Sequence, residues 1–229
     1  MNKTNDKTLK KSGFDYREFL RATLIVLMVA LTVMFTWGLP QLCSWGTPNY
    51  PSVTLDQHIP LITEFVWVYY LTFPLGIFTI YLLYYKNRRA MWDVVIAFML
   101  SCFISMIFYF VYPTEMIKPA LDPVSISDKL TIMTWGASRP VCCLPSQHCF
   151  MALSCIFASF YEKNTHWLVR IFTAVFGVLI ICSTVFIKQH YILDFVASLV
   201  IITPIFFTLR LVNKSVSNKK TTKQEKTNS

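Results

Sequence analysis

Apolar residues run along this chain in six blocks, at about 20–39, 61–85, 91–112, 144–161, 168–187 and 191–213, with short polar connections between them. Crossing the hydrocarbon core of a bilayer takes roughly 20 apolar residues. Each block is expected to be helical, because backbone groups inside lipid have no water to bond and must satisfy one another along a helix. The fourth block is uneven. Its outer part holds Pro145, Ser146, Gln147 and His148, and its purely apolar stretch is only Cys149 to Tyr161. A polar first turn at that depth must face protein or water, which already marks a site. The pattern therefore predicts an all-α, polytopic membrane protein with six transmembrane helices.

Charge sets the orientation. With the N-terminus inside, the inner segments hold six basic residues (through Arg21), three (Lys86, Arg88, Arg89), two (Lys163, Arg170) and six (Arg210 to Lys226), which is 17 of the 21 Lys and Arg. The outer segments hold Lys118, Lys129, Arg139 and Lys188. The positive-inside rule then puts both termini in the cytoplasm. Composition agrees, since 14% of residues are charged, against about a quarter in soluble domains. The net charge of +9 sits at the chain ends and in short connections, not on a binding face, so no nucleic-acid partner is expected.

The chain divides into a basic cytoplasmic N-terminus (1–19), a membrane domain (20–213) and a Lys/Ser/Thr/Asn tail (214–229). The tail reads as disordered and able to touch anionic lipid. A basic leader before the first block raises the reading of a signal peptide. The block from Ala22 to Leu39 is too long for one, no small-x-small cleavage site follows, and Trp37 sits where a membrane anchor would. It is read as a retained helix.

Two short motifs carry candidate chemistry. Pro145-Ser146-Gln147-His148 lies at the outer mouth of the fourth helix, and Lys188-Gln189-His190-Tyr191-Ile192-Leu193-Asp194 at the outer mouth of the sixth. His190 and Asp194 are four apart, so on a helix they share a face and can hydrogen-bond. The charge count is blind to these motifs, yet it puts both histidines on one side at similar depth. Two imidazoles, a carboxylate and nearby cations suit phosphoryl transfer. One imidazole attacks phosphorus, the carboxylate fixes its tautomer, and the other protonates the leaving oxygen. Cations balance the equatorial oxygens.

Pro145-Ser146-x-His148 resembles the second signature of the type 2 phosphatidic acid phosphatase superfamily. Ser183, Thr184, His190 and Asp194 stand at the spacings of its third signature, and Tyr112-Pro113-Thr114 with Lys118-Pro119 resembles a loose form of the first. The likeness covers about 90–210, the expected catalytic core. It implies six helices with an outward-facing site, His190 as nucleophile, Asp194 as its orienting partner, His148 as general acid and Ser146 in contact with phosphate. Three departures stand out: Thr184 replaces an Arg, Gln147 replaces a Gly, and Lys118 stands where Arg is usual. With Lys188 just before Gln-His-Tyr, the chain looks more like the branch of inositol phosphorylceramide and sphingomyelin synthases. Lys188 is the candidate replacement for the missing Arg, as a point charge without the bidentate fork. Lys118, Arg139 and Ser183 complete the candidate phosphate-binding set.

Each of these residues has a plainer reading: interfacial histidines, a carboxylate at a helix start, a Ser capping the fourth helix, a snorkelling lysine. His58 and His166 match no motif, Glu64, Asp93 and Arg21 reach headgroups cheaply, and Trp37, Trp92 and Trp167 suit an aromatic belt. Cys102, Cys155 and Cys182 read as buried hydrophobes, and the spacing leaves open a bridge from Cys43 to Cys142 or Cys143. Cys142, Cys143, His148 and Cys149 crowd together but lack the paired separations of a zinc site, so neither metal nor cofactor is expected.

The expected protein is therefore a cell-membrane lipid phosphate phosphatase, most simply bacterial and facing outward. Its substrate would be an amphiphilic phosphate monoester or pyrophosphate. A phosphotransferase of the same fold is the alternative, and a histidine-relay transporter the third. Against the transporter stand the lack of an inverted repeat and of paired broken helices.

Overall fold

The computed structural model describes residues 15–43, 47–137, 141–161 and 165–227, with side chains to 215. Nine α-helices appear among the described residues: α1 (Tyr16–Leu42), α2 (Thr54–His58), α3 (Val66–Tyr70), α4 (Thr72–Lys86), α5 (Arg88–Val111), α6 (Ile126–Gly136), α7 (Gln147–Tyr161), α8 (Trp167–Phe186) and α9 (Ile192–Thr227). Five helical stretches are long and apolar enough to cross a membrane: Tyr16–Leu42, Thr63–Lys86, Arg88–Val111, Trp167–Phe186 and Ile192–Ser215. The second includes a 3₁₀ turn, α3 and α4. It is interrupted at Leu71, where Pro74 has no N–H to give and its ring crowds the carbonyl four residues back.

The fourth apolar block becomes α7, which is only 15 residues long. It packs against α8, α5, α4 and α9, and nearly all of it from Gln147 to Ser159 is buried or half-buried. A helix enclosed by other helices need not match the bilayer thickness on its own, and an apolar surface all round suits that position. Two neighbours come close to it through glycines. A Cβ on Gly76 of α4 would lie 2.6 Å from Met151 Sδ, and one on Gly177 of α8 would lie 2.6 Å from Ile156 Cγ1. Small residues at such crossings let membrane helices pack at short range. On the outside, Leu24, Leu27, Leu31 and Met34 of α1 are exposed, an apolar surface suited to lipid.

The bundle has two different ends. At one, Glu18 pairs with Arg88 and accepts from Tyr84, while Arg210 and Asn213 bind the buried Asp93. The start of α1, the α4–α5 turn and the 210–213 stretch of α9 therefore sit together. Past 213, where composition predicts a disordered tail, the backbone of α9 stays helical to Thr227. Lys, Gln and Glu are good helix formers, and neither Gly nor Pro occurs after Pro204 to stop it.

At the other end, the connecting segments are laced together. Asn49 N–H donates to Pro113 O at 2.9 Å, Glu115 N–H to Asn49 O at 3.0 Å, and Leu144 N–H to Thr114 Oγ1 at 2.8 Å. Cys43, Cys142 and Cys143 are all free thiols.

Candidate active site

The turn from α8 into α9 is built before any chemistry is placed on it. Lys188 N–H donates to Val185 O at 3.1 Å and Gln189 N–H to Thr184 O at 3.0 Å. These are the two bonds of a Schellman stop, with Lys188 at the left-handed position (φ 53°) that glycine usually takes. His190 N–H also donates to Thr184 O, at 3.0 Å. Thr184 thus anchors the turn through its carbonyl. A lysine at such a φ costs about 1–2 kcal/mol, and three outside contacts hold it there. Lys118 Nζ donates to Lys188 O at 2.7 Å, Trp135 Nε1 donates to Ile187 O at 2.7 Å, and Lys188 Nζ reaches Asp56 O at 3.0 Å.

This turn delivers His190 to Asp194, one helical turn on. His190 Nδ1 lies 3.0 Å from Asp194 Oδ2 and 3.0 Å from Cys143 O. A carbonyl oxygen can only accept, so Nδ1 carries the proton, and in the neutral ring the lone pair is then on Nε2. That is the tautomer a nucleophile needs. Asp194 Oδ2 is held in turn by the Tyr191 N–H at 3.0 Å and the Cys143 thiol at 2.9 Å. Asp194 is fully buried, and its Oδ1 has no partner among the described residues.

His148 faces His190 with ring centroids 6.0 Å apart. Tyr69 of α3 lies against it, rings 4.3 Å apart and hydroxyl 3.4 Å from Nδ1, and Phe73 meets it edge-on. A phenol both donates and accepts, so this contact to Nδ1 survives whichever protonation state His148 takes. Both imidazoles line a cavity of about 330 Å³. Its wall is largely apolar, including Ala30, Val33 and Met34 of α1 and Phe98 of α5, with Gln147 and Gln189 as polar members. The N-terminal turn of α7 opens on it, turning the positive end of a helix dipole toward an anion bound there.

The remaining candidates take other positions. Ser146 caps α7, its Oγ accepting from Cys149 N–H at 3.3 Å. Ser183 is fully buried and donates to Ile180 O at 2.6 Å within its own helix. Lys188 Nζ is committed to the Asp56 carbonyl, and burial lowers its pKa. Burial also lowers Lys118, to about 8; its ammonium bonds Lys188 O and, at 3.3 Å, Gln189 Oε1, whose residue lines the cavity. Arg139 lies outside the described residues.

Three contributors escape a reading of sequence alone. Tyr69 sits in an apolar block where nothing singles out one tyrosine. Cys143 reads as a spare thiol. Asp56 is an isolated loop carboxylate, yet its Oδ1 accepts from Ile192 N–H at 3.0 Å and so fixes the start of α9.

The ligand atoms of Cys143, His190 and Asp194 lie within 4.8 Å of one another, close enough to hold a metal ion. The donor set fits one poorly. Burial pushes the Cys143 thiol well above its ordinary pKa, whereas metals take thiolate. Of the two carboxylate oxygens, Oδ2 is already bonded to the other two groups and to Tyr191, which leaves only Oδ1 without a partner.

Membrane-length helices, with a buried His–Asp pair and a second imidazole beside an apolar cavity, define an integral membrane protein with a candidate site inside its helical bundle. The family model of the PAP2 superfamily matches residues 50–208. The chain belongs to that superfamily, whose enzymes are phosphatases and phosphotransferases acting on lipid phosphates. No curated protein and no solved structure gives a significant match.

Proposed function

We propose that this protein is a lipid phosphate phosphatase with six transmembrane helices, α7 being the short one, that acts at the extracytoplasmic face through a phosphohistidine on His190. One observation carries the reading most directly. His190 is held with Nδ1 protonated by two acceptors, Cys143 O and Asp194 Oδ2, each at 3.0 Å. Its free Nε2 belongs to a ring lining an apolar cavity, with a second imidazole opposite.

In the first step the Nε2 lone pair attacks phosphorus, the bond from phosphorus to the lipid oxygen breaks, and protonated His148 gives its proton to that oxygen. His190 gains positive charge as the P–N bond forms, and the Asp194 carboxylate stabilises it. In the second step neutral His148 takes a proton from water, the resulting hydroxide attacks phosphorus, and the P–N bond breaks. Inorganic phosphate leaves and His190 is restored. The dipole of α7 offsets charge on the transferring group, and the apolar wall takes the lipid tail. The basic-residue count supports outward sidedness, and the apolar helices support an integral membrane location.

The test is release of phosphate from a panel of lipid phosphates by protein in nanodiscs, with acid-labile labelling of the enzyme. His190→Ala should abolish both. More than about a tenth of wild-type turnover in that variant would remove His190 as nucleophile, and recovery of the phosphoryl group on an added alcohol instead of as free phosphate would make the enzyme a phosphotransferase.

A further inference from the structure

The cavity beside the two imidazoles extends well into the bundle. One end is lined by His148, His190 and Gln189, and the other reaches Ala30 of α1, Phe98 of α5 and Met151 of α7. Ala30 and Phe98 lie near the middle of their helices. Tyr109, which also lines the cavity, donates its hydroxyl to Pro145 O at 2.7 Å, beside the start of α7. Phe98 precedes it by three turns of α5, about 16 Å of helix. The cavity thus descends from the histidines through about half of a ~30 Å hydrocarbon core.

Two side chains close its inward end. A second cavity of only about 10 Å³ lies beyond, among Val29, Gly76, Val94 and Cys155. Phe98 and Met151 line both cavities, and no other described residue does. They are 2% and 9% exposed and belong to the main apolar core. Met151 lies against Gly76 of α4, where any added Cβ would meet its Sδ at 2.6 Å. Phe98 and Met151 therefore form a packed partition between the two spaces.

We infer that Phe98 and Met151 determine specificity: they are the floor of a slot that takes one hydrocarbon chain of the lipid phosphate, and they limit how long that chain can be. This rests on the lipid-phosphate reading above and deepens it. A cavity of about 330 Å³ is small for a ligand pocket, and the phosphate takes part of it, which leaves room for one chain. Moving that chain out of the bilayer gains little by itself, because lipid tails are as apolar as the residues of the slot. Selection comes from the floor, where further methylenes meet close-packed atoms and must displace them.

The experiment uses linear monoalkyl phosphates of about 6 to 18 carbons, a range that ends beyond the reach of a slot half a bilayer core deep. They are titrated by mole fraction into phosphatidylcholine nanodiscs holding the full chain. Binding is read on His190→Ala, and phosphate release on the protein with His190 intact. Affinity should hold or rise with length and then fall about tenfold over the next few carbons. Met151→Ala removes three heavy atoms and joins the slot to the inner cavity, so it should move this break about two or three carbons longer. Phe98→Leu, a milder change for the fold, should move it about one or two. Ile107→Ala, on the exposed side of the same helix, should leave the break in place. A profile without a break overturns the inference, as does a break that neither floor variant moves or that Ile107→Ala moves equally. The two readings fail separately. Release from every chain length at equal kcat/KM keeps the phosphatase and removes the floor. A break in binding that shifts with Met151→Ala, without phosphate release from any probe, does the reverse.

Discussion

Asp194→Asn tests the arrangement around the proposed nucleophile, His190, most sharply. In the native site Asp194 Oδ2 accepts from His190 Nδ1, Tyr191 N–H and the Cys143 thiol, at 3.0, 3.0 and 2.9 Å. Three donors converge there, so an asparagine must turn its carbonyl oxygen to them and put its NH₂ where Oδ1 now has no partner. The geometry then survives and the charge does not. A unit charge about 4 Å from the developing imidazolium contributes about 4 kcal/mol at an effective dielectric of about 20. Part of that interaction is present before reaction, so the expected loss in kcat/KM is about 10²- to 10³-fold. Where one carboxylate alone sets the tautomer, the same change costs about 10⁴-fold. Here the Cys143 carbonyl is a second acceptor for the same proton at 3.0 Å, and it should hold the tautomer. The assay is single-turnover phosphate release, with trapping of labelled phosphoenzyme, which should still form in the variant but more slowly. A loss of 10⁴-fold or more would show that the carbonyl does not hold the proton. A loss under about tenfold would show that the carboxylate is not coupled to the reacting ring.

Lys188 at its left-handed position (φ 53°) reads as a turn residue. Lys188→Gly should therefore keep kcat/KM within about fivefold and Lys188→Val should lower thermal stability, whereas a hundredfold loss in the Gly variant would return the ammonium to phosphate binding. Lys118, lowered to about 8 by burial, should lose its charge as pH rises through that value, giving a falling alkaline limb in kcat/KM that Lys118→Arg moves upward; an unchanged limb in that variant would assign it to another group. Because the folded pKa lies below the ordinary value, the same linkage makes stability rise with pH between about 8 and 10.5, opposing any alkaline loss of activity through unfolding. A Cβ at Gly177 would lie 2.6 Å from Ile156 Cγ1 and 3.1 Å from Ala152 O, so Gly177→Val should destabilise by about 1–3 kcal/mol in a thermal melt, and an unchanged melting temperature would mean that α7 and α8 are not in tight contact.

The pattern along the chain carries a good deal by itself. Long apolar blocks determine helices, because lipid leaves the backbone no other partner. The His190-x3-Asp194 spacing marks the pair, but His190 lies in the turn before α9, which begins at Ile192, so it is the turn and not a shared helix face that brings the ring to Asp194. Ser146 as the cap of α7 follows from its place before the helix. Tertiary structure decides what depends on distant segments meeting. The 15-residue length of α7 looks inadequate in isolation and becomes reasonable only once other helices enclose it. Whether Lys188 and Lys118 face phosphate or brace the turn is invisible in their order, since Asp56 and Trp135 lie in other parts of the chain. The second acceptor for the His190 proton is a backbone carbonyl 47 residues away, a group every residue possesses and no sequence pattern marks. Gln147 departs from the family motif at a glance, but the orientation of its amide is fixed by two hydroxyls, Thr36 on α1 and Ser105 on α5, and only the packed bundle brings those three side chains together.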